Sequence, residues 1–235
     1  MKRRRLGQHY LLDRWYVKRI IDLASPKSNE KILEVGCGKG ALTREVLDRG
    51  YKLVGYEVDK ENFTLLKNEF KSESFELILG DAFLHEIDFD VLISSIPYSE
   101  SSRFVEWLCR REYNRAVVVL QSDFANKLIS SPNSSSYRAV SVIAQICAEI
   151  KREFDIPRDA FQPIPRVNSC VVSFLYKRRL SKEEIAFIKE LFAHRRKKLN
   201  TVLKMLGCRE KEGYQQRRVY SLTPEEVLSI VRERI

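Results

Sequence analysis

Short apolar runs recur along the chain, each bounded by polar or turn-forming residues, and most are separated by longer stretches with helical spacing. The runs at 31–35, 52–56, 75–79, 91–95 and 116–120 are rich in Val, Ile and Leu and too short for helices, so each predicts a buried strand. The segments between them are long enough for crossover helices. That rhythm predicts an α/β fold with a mostly parallel sheet covered on both faces. Two further runs, near 150–154 and at 170–176, follow one another without a long helix between them. They predict an antiparallel hairpin at one edge, giving a seven-stranded sheet.

After Arg179 the pattern changes. "SKEEIAFIKELFAHRRKKLNTVLKML" reads as one long amphipathic helix, with Ser181 as N-cap, Glu184 completing a capping box and Gly207 as the stop. "LTPEEVLSIVRERI" reads as another, with Thr223 as N-cap and Pro224 in the first turn. The expected organisation is an α/β domain over residues 1–178 and a small all-helical C-terminal domain over 179–235. "SSPNSSSYR" (130–138) is a low-complexity loop and a candidate mobile element.

Charge adds a partner to this picture. The chain of 235 residues carries a net charge of +10, concentrated at its ends. Residues 177–235 hold 16 Lys and Arg against 8 Asp and Glu, and Lys2, Arg3, Arg4 and Arg5 add to the excess. Residues 6–176 are near neutral, with 22 basic and 24 acidic side chains. A neutral body with basic ends predicts a polyanionic partner, gripped by Arg3, Arg4, Arg5 and by Arg195, Arg196, Lys197, Lys198.

Other classes are disfavoured. No apolar run approaches the ~20 residues of a membrane span, and the basic N-terminus lacks the apolar core of a signal peptide. The 5 cysteines are scattered without a C-x-x-C pair, which predicts free thiols in a reducing cytoplasm. The 3 histidines form no cluster with cysteine, so no metal site is expected.

"KILEVGCGKGALT" places Gly36, Gly38 and Gly40 directly after the first predicted strand of the sheet, where a tight turn and a helix N-terminus can hold a nucleotide. Gly36, Gly38 and Ala41 also satisfy the dinucleotide fingerprint, and Glu57, at the second strand end, can accept ribose hydroxyls of either cofactor. Glu34 before the glycines, and Asp81 in "LGDA" after the third strand, tilt the choice toward S-adenosylmethionine.

The fourth strand ends "SSIPY". A polar strand end followed by x-Pro-Tyr resembles the pattern of amino-methyltransferases. The exocyclic amine of adenine is a poor nucleophile because its lone pair is delocalised into the ring. Acceptors on its two N–H groups favour a pyramidal nitrogen whose lone pair can attack a sulfonium methyl. Ser95 and the Ile96 carbonyl can supply them, Pro97 stiffens the corner, and Tyr98 can stack on the base.

With these residues in order, the chain resembles the rRNA adenine dimethyltransferases of the kasugamycin-resistance type from about residue 5 to the C-terminal helices. "LGQHYLLD", "LEVGCGKGALT", "YEVD", "GDA", "SSPNSSSYRAVSV", "FQPIPRVNSCVV" and "FAHRRKKLNTVL" carry the resemblance. It implies a Rossmann-like class I S-adenosylmethionine methyltransferase fold. His9 and Leu11 would line the cofactor beside Gly36, Gly38, Glu57, Asp81 and Ser95. Phe161 would face Tyr98 across the target adenine. The implied activity is dimethylation of adenines near the end of small-subunit rRNA, contributing to ribosome biogenesis. The expected setting is a cytoplasmic monomer acting on a pre-assembled subunit. One departure stands out: the family has asparagine where this chain has Ser95, and a serine hydroxyl accepts a hydrogen bond but reaches less far. Three rivals remain open from the sequence: a weakly catalytic or inactive rRNA-binding assembly factor of the same fold, a large-subunit rRNA adenine methyltransferase, and a nicotinamide oxidoreductase. The last leaves the Pro-Tyr corner without a purpose.

Overall fold

The computed structural model describes residues 8–234. Its N-terminal segment forms β1 (Tyr10–Leu11) and α1 (Arg14–Ala24). The Asp13 side chain caps α1, and Val17, Ile20, Ile21 and Ala24 form its buried stripe. Then come β2 (Ile32–Val35), α2 (Ala41–Asp48), β3 (Leu53–Glu57), α3 (Lys60–Glu69), β4 (Phe75–Leu79), β5 (Val91–Ser95), α4 (Ser101–Leu108) and β6 (Arg115–Gln121). The chain continues through α5 (Ser122–Leu128), α6 (Ala139–Cys147), β7 (Ala148–Ile156), β8 (Phe161–Gln162) and β9 (Ser169–Tyr176). It ends in α7 (Lys182–Ala193), α8 (Leu199–Met205) and α9 (Pro224–Arg234).

Seven strands form one sheet in the order β4-β3-β2-β5-β6-β9-β7. β2 through β6 pair in parallel, and β9 runs antiparallel to both β6 and β7. Side chains alternate between the faces as a pleated strand requires. On β6, Ala116, Val118 and Leu120 join the cluster under α4 and α6, while Val117 and Val119 join the one under α1 and α2. A separate pair, β1 with β8, lays the N-terminal segment against the loop that precedes β9.

The long helix expected from residue 182 onward is broken. α7 stops at Ala193 and α8 starts at Leu199. Segment 217–220 claims the backbone between them: Tyr220 N–H donates to the Arg195 carbonyl (3.0 Å), Val219 N–H to that of Lys197 (3.1 Å), and Leu199 N–H to that of Arg217 (2.8 Å). The expected stop at Gly207 is present: this residue adopts a φ of 71° just after α8, while Cys208 N–H donates to the Leu203 carbonyl. The capping boxes at Ser181–Glu184 and Thr223–Glu226 are both formed. α7 and α9 pack on α6 and share its hydrophobic cluster.

The serine-rich loop before α6 is tied down as well. Asn133 N–H donates to the Tyr220 carbonyl (3.0 Å), the buried Tyr137 hydroxyl donates to that of Leu222 (2.9 Å), and Ser130 and Ser136 bond to each other (2.8 Å). It ties α5 and α6 to segment 220–222.

Candidate active site and nucleic-acid interface

The chain moves from β2 outward to β3 and β4, then returns to the other side of β2 as β5. That reversal opens a crevice at the carboxyl ends of β2 and β5, the usual ligand position in such sheets. Two adjoining hollows occupy it. The first is lined by residues that include His9, Leu11, Glu34, Gly36, Gly38, Glu57 and Ser95. The second is lined by residues that include Gly36, Asp81, Ile96 and Pro97. The expected cofactor residues are therefore gathered from the ends of β2, β3, β4 and β5 and from the N-terminal segment.

The loop after β2 is fixed by its neighbours. Gly36 and Cys37 N–H both donate to the Tyr56 carbonyl, at 2.8 and 3.2 Å. Gly38 N–H donates to Glu57 Oε2 at 2.7 Å, and Asp59 N–H donates to Oε1 at 2.8 Å. Gly38 has a φ of 56°, and a Cβ there would stand 3.0 Å from the Tyr10 ring, so any other residue would strain the backbone and push on that lid. Glu57 is thus a staple of the loop, with two further lone-pair positions for a ribose diol. Burial pushes its carboxyl above the usual range. Glu34, 1 % exposed, goes further: burial pushes it up to about 8, against the opposing hydrogen bond from Thr43 Oγ1 at 2.6 Å.

Asp81 is committed on both oxygens. Oδ1 accepts from Phe83 N–H at 3.0 Å, and Oδ2 pairs with Arg103 at 2.7 Å. An adenine amine approaching this carboxylate meets the Arg103 guanidinium, a competitor on α4 that no local sequence pattern singles out.

At the fourth strand end, Ser95 is half-buried in the crevice wall, and Ile96 is buried. Among the described residues neither Ser95 Oγ nor the Ile96 carbonyl has a hydrogen-bond partner, so both acceptors are free. The neighbouring Ser94 is the tie of this corner, donating to the Val35 carbonyl at 2.5 Å. Pro97 has φ −57° and ψ 138° and turns the chain into the single helical turn of Tyr98. The Tyr98 hydroxyl lies 2.5 Å from the hydroxyl of buried Ser169, and burial pushes the phenol above its ordinary value.

Phe161 departs from expectation. It is 3 % exposed, pairs with Leu11 across β1 and β8, and belongs to the cluster under α1 and α2. Its packing offers no open face for a base in this conformation. The ring that meets Tyr98 is His9, with centroids 5.7 Å apart and planes 25° from parallel, its Nδ1 2.7 Å from the Pro163 carbonyl. Leu11 is buried against the same core while reaching the crevice.

Arg195, Arg196, Lys197 and Lys198 lie in the turn between α7 and α8. Arg138 from the serine-rich loop and Arg218 from the crossing segment join them. Burial, and then the guanidiniums of Arg138 and Arg196, hold Arg195 below the usual arginine value. Arg218 is anchored on the Arg196 carbonyl. Among the described residues none of Arg138, Arg195, Arg196 and Arg218 has a carboxylate partner, which leaves a positive patch suited to phosphates. The candidate contacts Arg3, Arg4 and Arg5 lie outside the described residues. Among the described residues, no group of three or more His, Cys, Asp and Glu could hold a metal ion, and no helix is long and apolar enough to cross a membrane.

Comparison with known proteins gives a consistent result. A family model described as ribosomal RNA adenine dimethylase matches residues 1–233. The chain is 34% identical over 246 residues to a probable ribosomal RNA small subunit methyltransferase A of Pyrococcus furiosus, covering 97% of this chain and 90% of that one. It is 35% identical over 215 residues to the ribosomal RNA small subunit methyltransferase A of Mycoplasma mobile, covering 88% and 84%. Among solved structures, a dimethyladenosine transferase from Plasmodium falciparum aligns with a TM-score of 0.80 at 21% identity, over 95% of this chain and 96% of that one. The 23S rRNA methyltransferase ErmE aligns with a TM-score of 0.66 at 22% identity, over 95% and 98%. These two likenesses establish the fold.

Proposed function

The chain belongs to the ribosomal RNA adenine dimethylase family, and on that premise we propose that it dimethylates the exocyclic amine of adenines near the end of small-subunit rRNA, using S-adenosylmethionine. The observation that carries this reading is the convergence of Gly36, Glu57, Asp81 and Ser95 from successive strand ends on one crevice, whose wall includes Pro97 and His9, the ring that stacks on Tyr98. Relatives with at least 30% identity over most of their length carry names of small-subunit methyltransferases, which favours that subunit over the large one.

The residues present suit the cofactor. Glu57 has lone pairs left for a ribose diol, each Asp81 oxygen keeps a second lone pair that an adenine amine can use beside Arg103, and the glycine loop leaves room for a nucleoside over its backbone. The bound cofactor supplies an electrophilic methyl on a sulfonium. The chain's own part is to present the target amine. Tyr98 stacks on the base; Ser95 Oγ and the Ile96 carbonyl accept the two amine hydrogens, so that the nitrogen lone pair turns toward the methyl donor. No strong general base is required, since the proton can leave after transfer. The basic patch around Arg195 holds the RNA backbone. The protein acts as a cytoplasmic monomer on the assembled small subunit.

Incubation with labelled S-adenosylmethionine and unmethylated small subunits, followed by nucleoside analysis, tests this. Dimethyladenosine in small-subunit rRNA is the expected product. Label confined to large-subunit RNA, or no transfer to either particle, would overturn the reading.

A further inference from the structure

An exposed tryptophan stands close in sequence to the active-site ribbon. Trp15, in the first turn of α1, is 57 % exposed. Its backbone N–H is held by Asp13 at 2.8 Å. The Arg19 guanidinium lies 4.5 Å from the indole centroid and 3.9 Å from that of Phe154 on β7, so it is stacked between the two rings. Tyr16 meets Trp15 edge-on at 4.8 Å and lies nearly parallel to Phe154 at 6.4 Å. One face of the indole is thus packed and the remainder is open to solvent. Such an aromatic costs hydration in the free protein and gains if it is covered.

The surroundings indicate what covers it. Arg14 and Lys18 are exposed on the same helix, and among the described residues none of Arg14, Lys18 and Arg19 has a carboxylate partner. A flat aromatic backed by a guanidinium and flanked by cations matches a nucleobase with its phosphates. An apolar protein segment would not use that charge. The position also fits. Leu12 and Asp13 N–H donate to the Ala160 carbonyl at 2.9 and 3.4 Å, next to the pair of Leu11 with Phe161, and His9 on the same ribbon stacks on Tyr98.

We infer that Trp15, stiffened by Arg19 and Phe154, is a stacking platform for a second, unpaired nucleobase of the RNA substrate, distinct from the reacting adenine. The inference rests on the proposed function for the identity of the RNA. Trp15 contributes to holding the RNA and takes no part in methyl transfer.

The test compares wild type, Trp15→Ala and Trp15→Phe. It measures binding to a protein-free transcript of the rRNA segment carrying the target adenines, and methylation of unmethylated small subunits. Trp15→Ala should weaken transcript binding roughly 5- to 150-fold. The dependence on salt should stay unchanged because no charge is removed. In methylation, KM should rise and kcat should hold, the mark of uniform binding. Trp15→Phe should recover most of the affinity. Equal transcript affinity in Trp15→Ala and wild type overturns the inference, as does a loss seen on small subunits and absent on the transcript, which would make a protein the occupant. Failure of the proposed function shows instead as wild type that transfers no methyl to small-subunit rRNA, whatever the Trp15 variants do in binding.

Discussion

The Tyr98 hydroxyl and the Ser169 hydroxyl sit 2.5 Å apart, joining the corner after β5 to the first residue of β9, 71 positions later. The ring assigned to stack on the base is therefore aimed by a buried partner. Tyr98→Ala should abolish most methyl transfer while leaving cofactor affinity nearly unchanged, since stacking is worth about 1–3 kcal/mol per base. Tyr98→Phe keeps the stack but strands Ser169 Oγ in a fully buried site, at a cost of about 1–3 kcal/mol in stability. The double change Tyr98→Phe, Ser169→Ala should recover much of that loss, because neither polar group is then left alone. Thermal melts and single-turnover rates on small subunits separate the two effects. A Tyr98→Ala enzyme with wild-type rates would remove Tyr98 from the site.

Residues that act through their own segment were legible in the sequence. The strands of the sheet, the glycine loop, Glu57, Asp81 and the Pro97–Tyr98 corner each leave a local pattern of apolar runs, turn residues and strand-end acids. What was not legible depends on distant chain. The break between α7 and α8 has no proline or glycine to announce it, because it is imposed by segment 217–220 capturing the carbonyls of Arg195 and Lys197. Ser169, Arg103, Arg138 and Arg218 matter only through interactions across the fold. Phe161 shows the reverse limit: its motif resembles that of a base-facing aromatic, but β1 pairs with β8 and draws the ring into the core.

The cluster of Arg138, Arg195, Arg196 and Arg218 should act as a phosphate clamp. Replacing Arg195, Arg196, Lys197 and Lys198 with glutamine should weaken RNA binding and lower the slope of log affinity against log salt, by about 0.7–0.9 for each phosphate no longer neutralised. Arg138→Gln should add to the effect although it lies on the other side of the junction, because its charge belongs to the same patch. Cofactor affinity should not change. An unaltered salt slope in filter-binding titrations would mean that these side chains are solvated and idle.

Two carboxyls near β2 should give stability opposite responses to pH. Glu34 rises from 4.5 to about 8 through burial, so the folded state keeps a proton that the unfolded chain has already released. Folding stability should therefore fall as pH rises from about 4.5 to 8, by at most ~1.4 kcal/mol per unit, and then level off. Glu34→Gln should flatten this slope and leave the variant relatively more stable at pH 8. Glu30 behaves inversely. Hydrogen bonding to Arg115, 2.7 Å away, holds it down at about 2. Its contribution is present above 4.5 and is lost as pH falls through 2. Denaturant midpoints across pH 3 to 9 for wild type, Glu34→Gln and Glu30→Gln check both signs. A midpoint for Glu34→Gln that tracks wild type between pH 5 and 8 would contradict the assignment of the raised group.

Ser95, where the sequence resemblance implies an asparagine, stands at the end of β5 in the crevice wall, with a free hydroxyl beside the free carbonyl of Ile96. Two acceptors are needed to hold both amine hydrogens and localise the nitrogen lone pair. The carbonyl remains whatever side chain precedes it. Ser95→Ala therefore deletes one acceptor, and a hydrogen bond worth ~1–3 kcal/mol in the transition state corresponds to a rate loss of roughly 5- to 150-fold. Cofactor and RNA affinities should barely change, because the hydroxyl acts only once the base is seated. Ser95→Asn places a carbonyl oxygen further into the crevice, and the adjoining hollows leave space for it. That variant should equal or exceed wild type. An RNA-binding factor without turnover gives another result: no transfer by wild type, no effect of Ser95→Ala, and activity gained in Ser95→Asn. Single-turnover methylation of small subunits by the three proteins distinguishes the cases. Full wild-type activity with an indifferent Ser95→Ala would show that the amine is held by the backbone alone and that the hydroxyl at this strand end has no part in the chemistry.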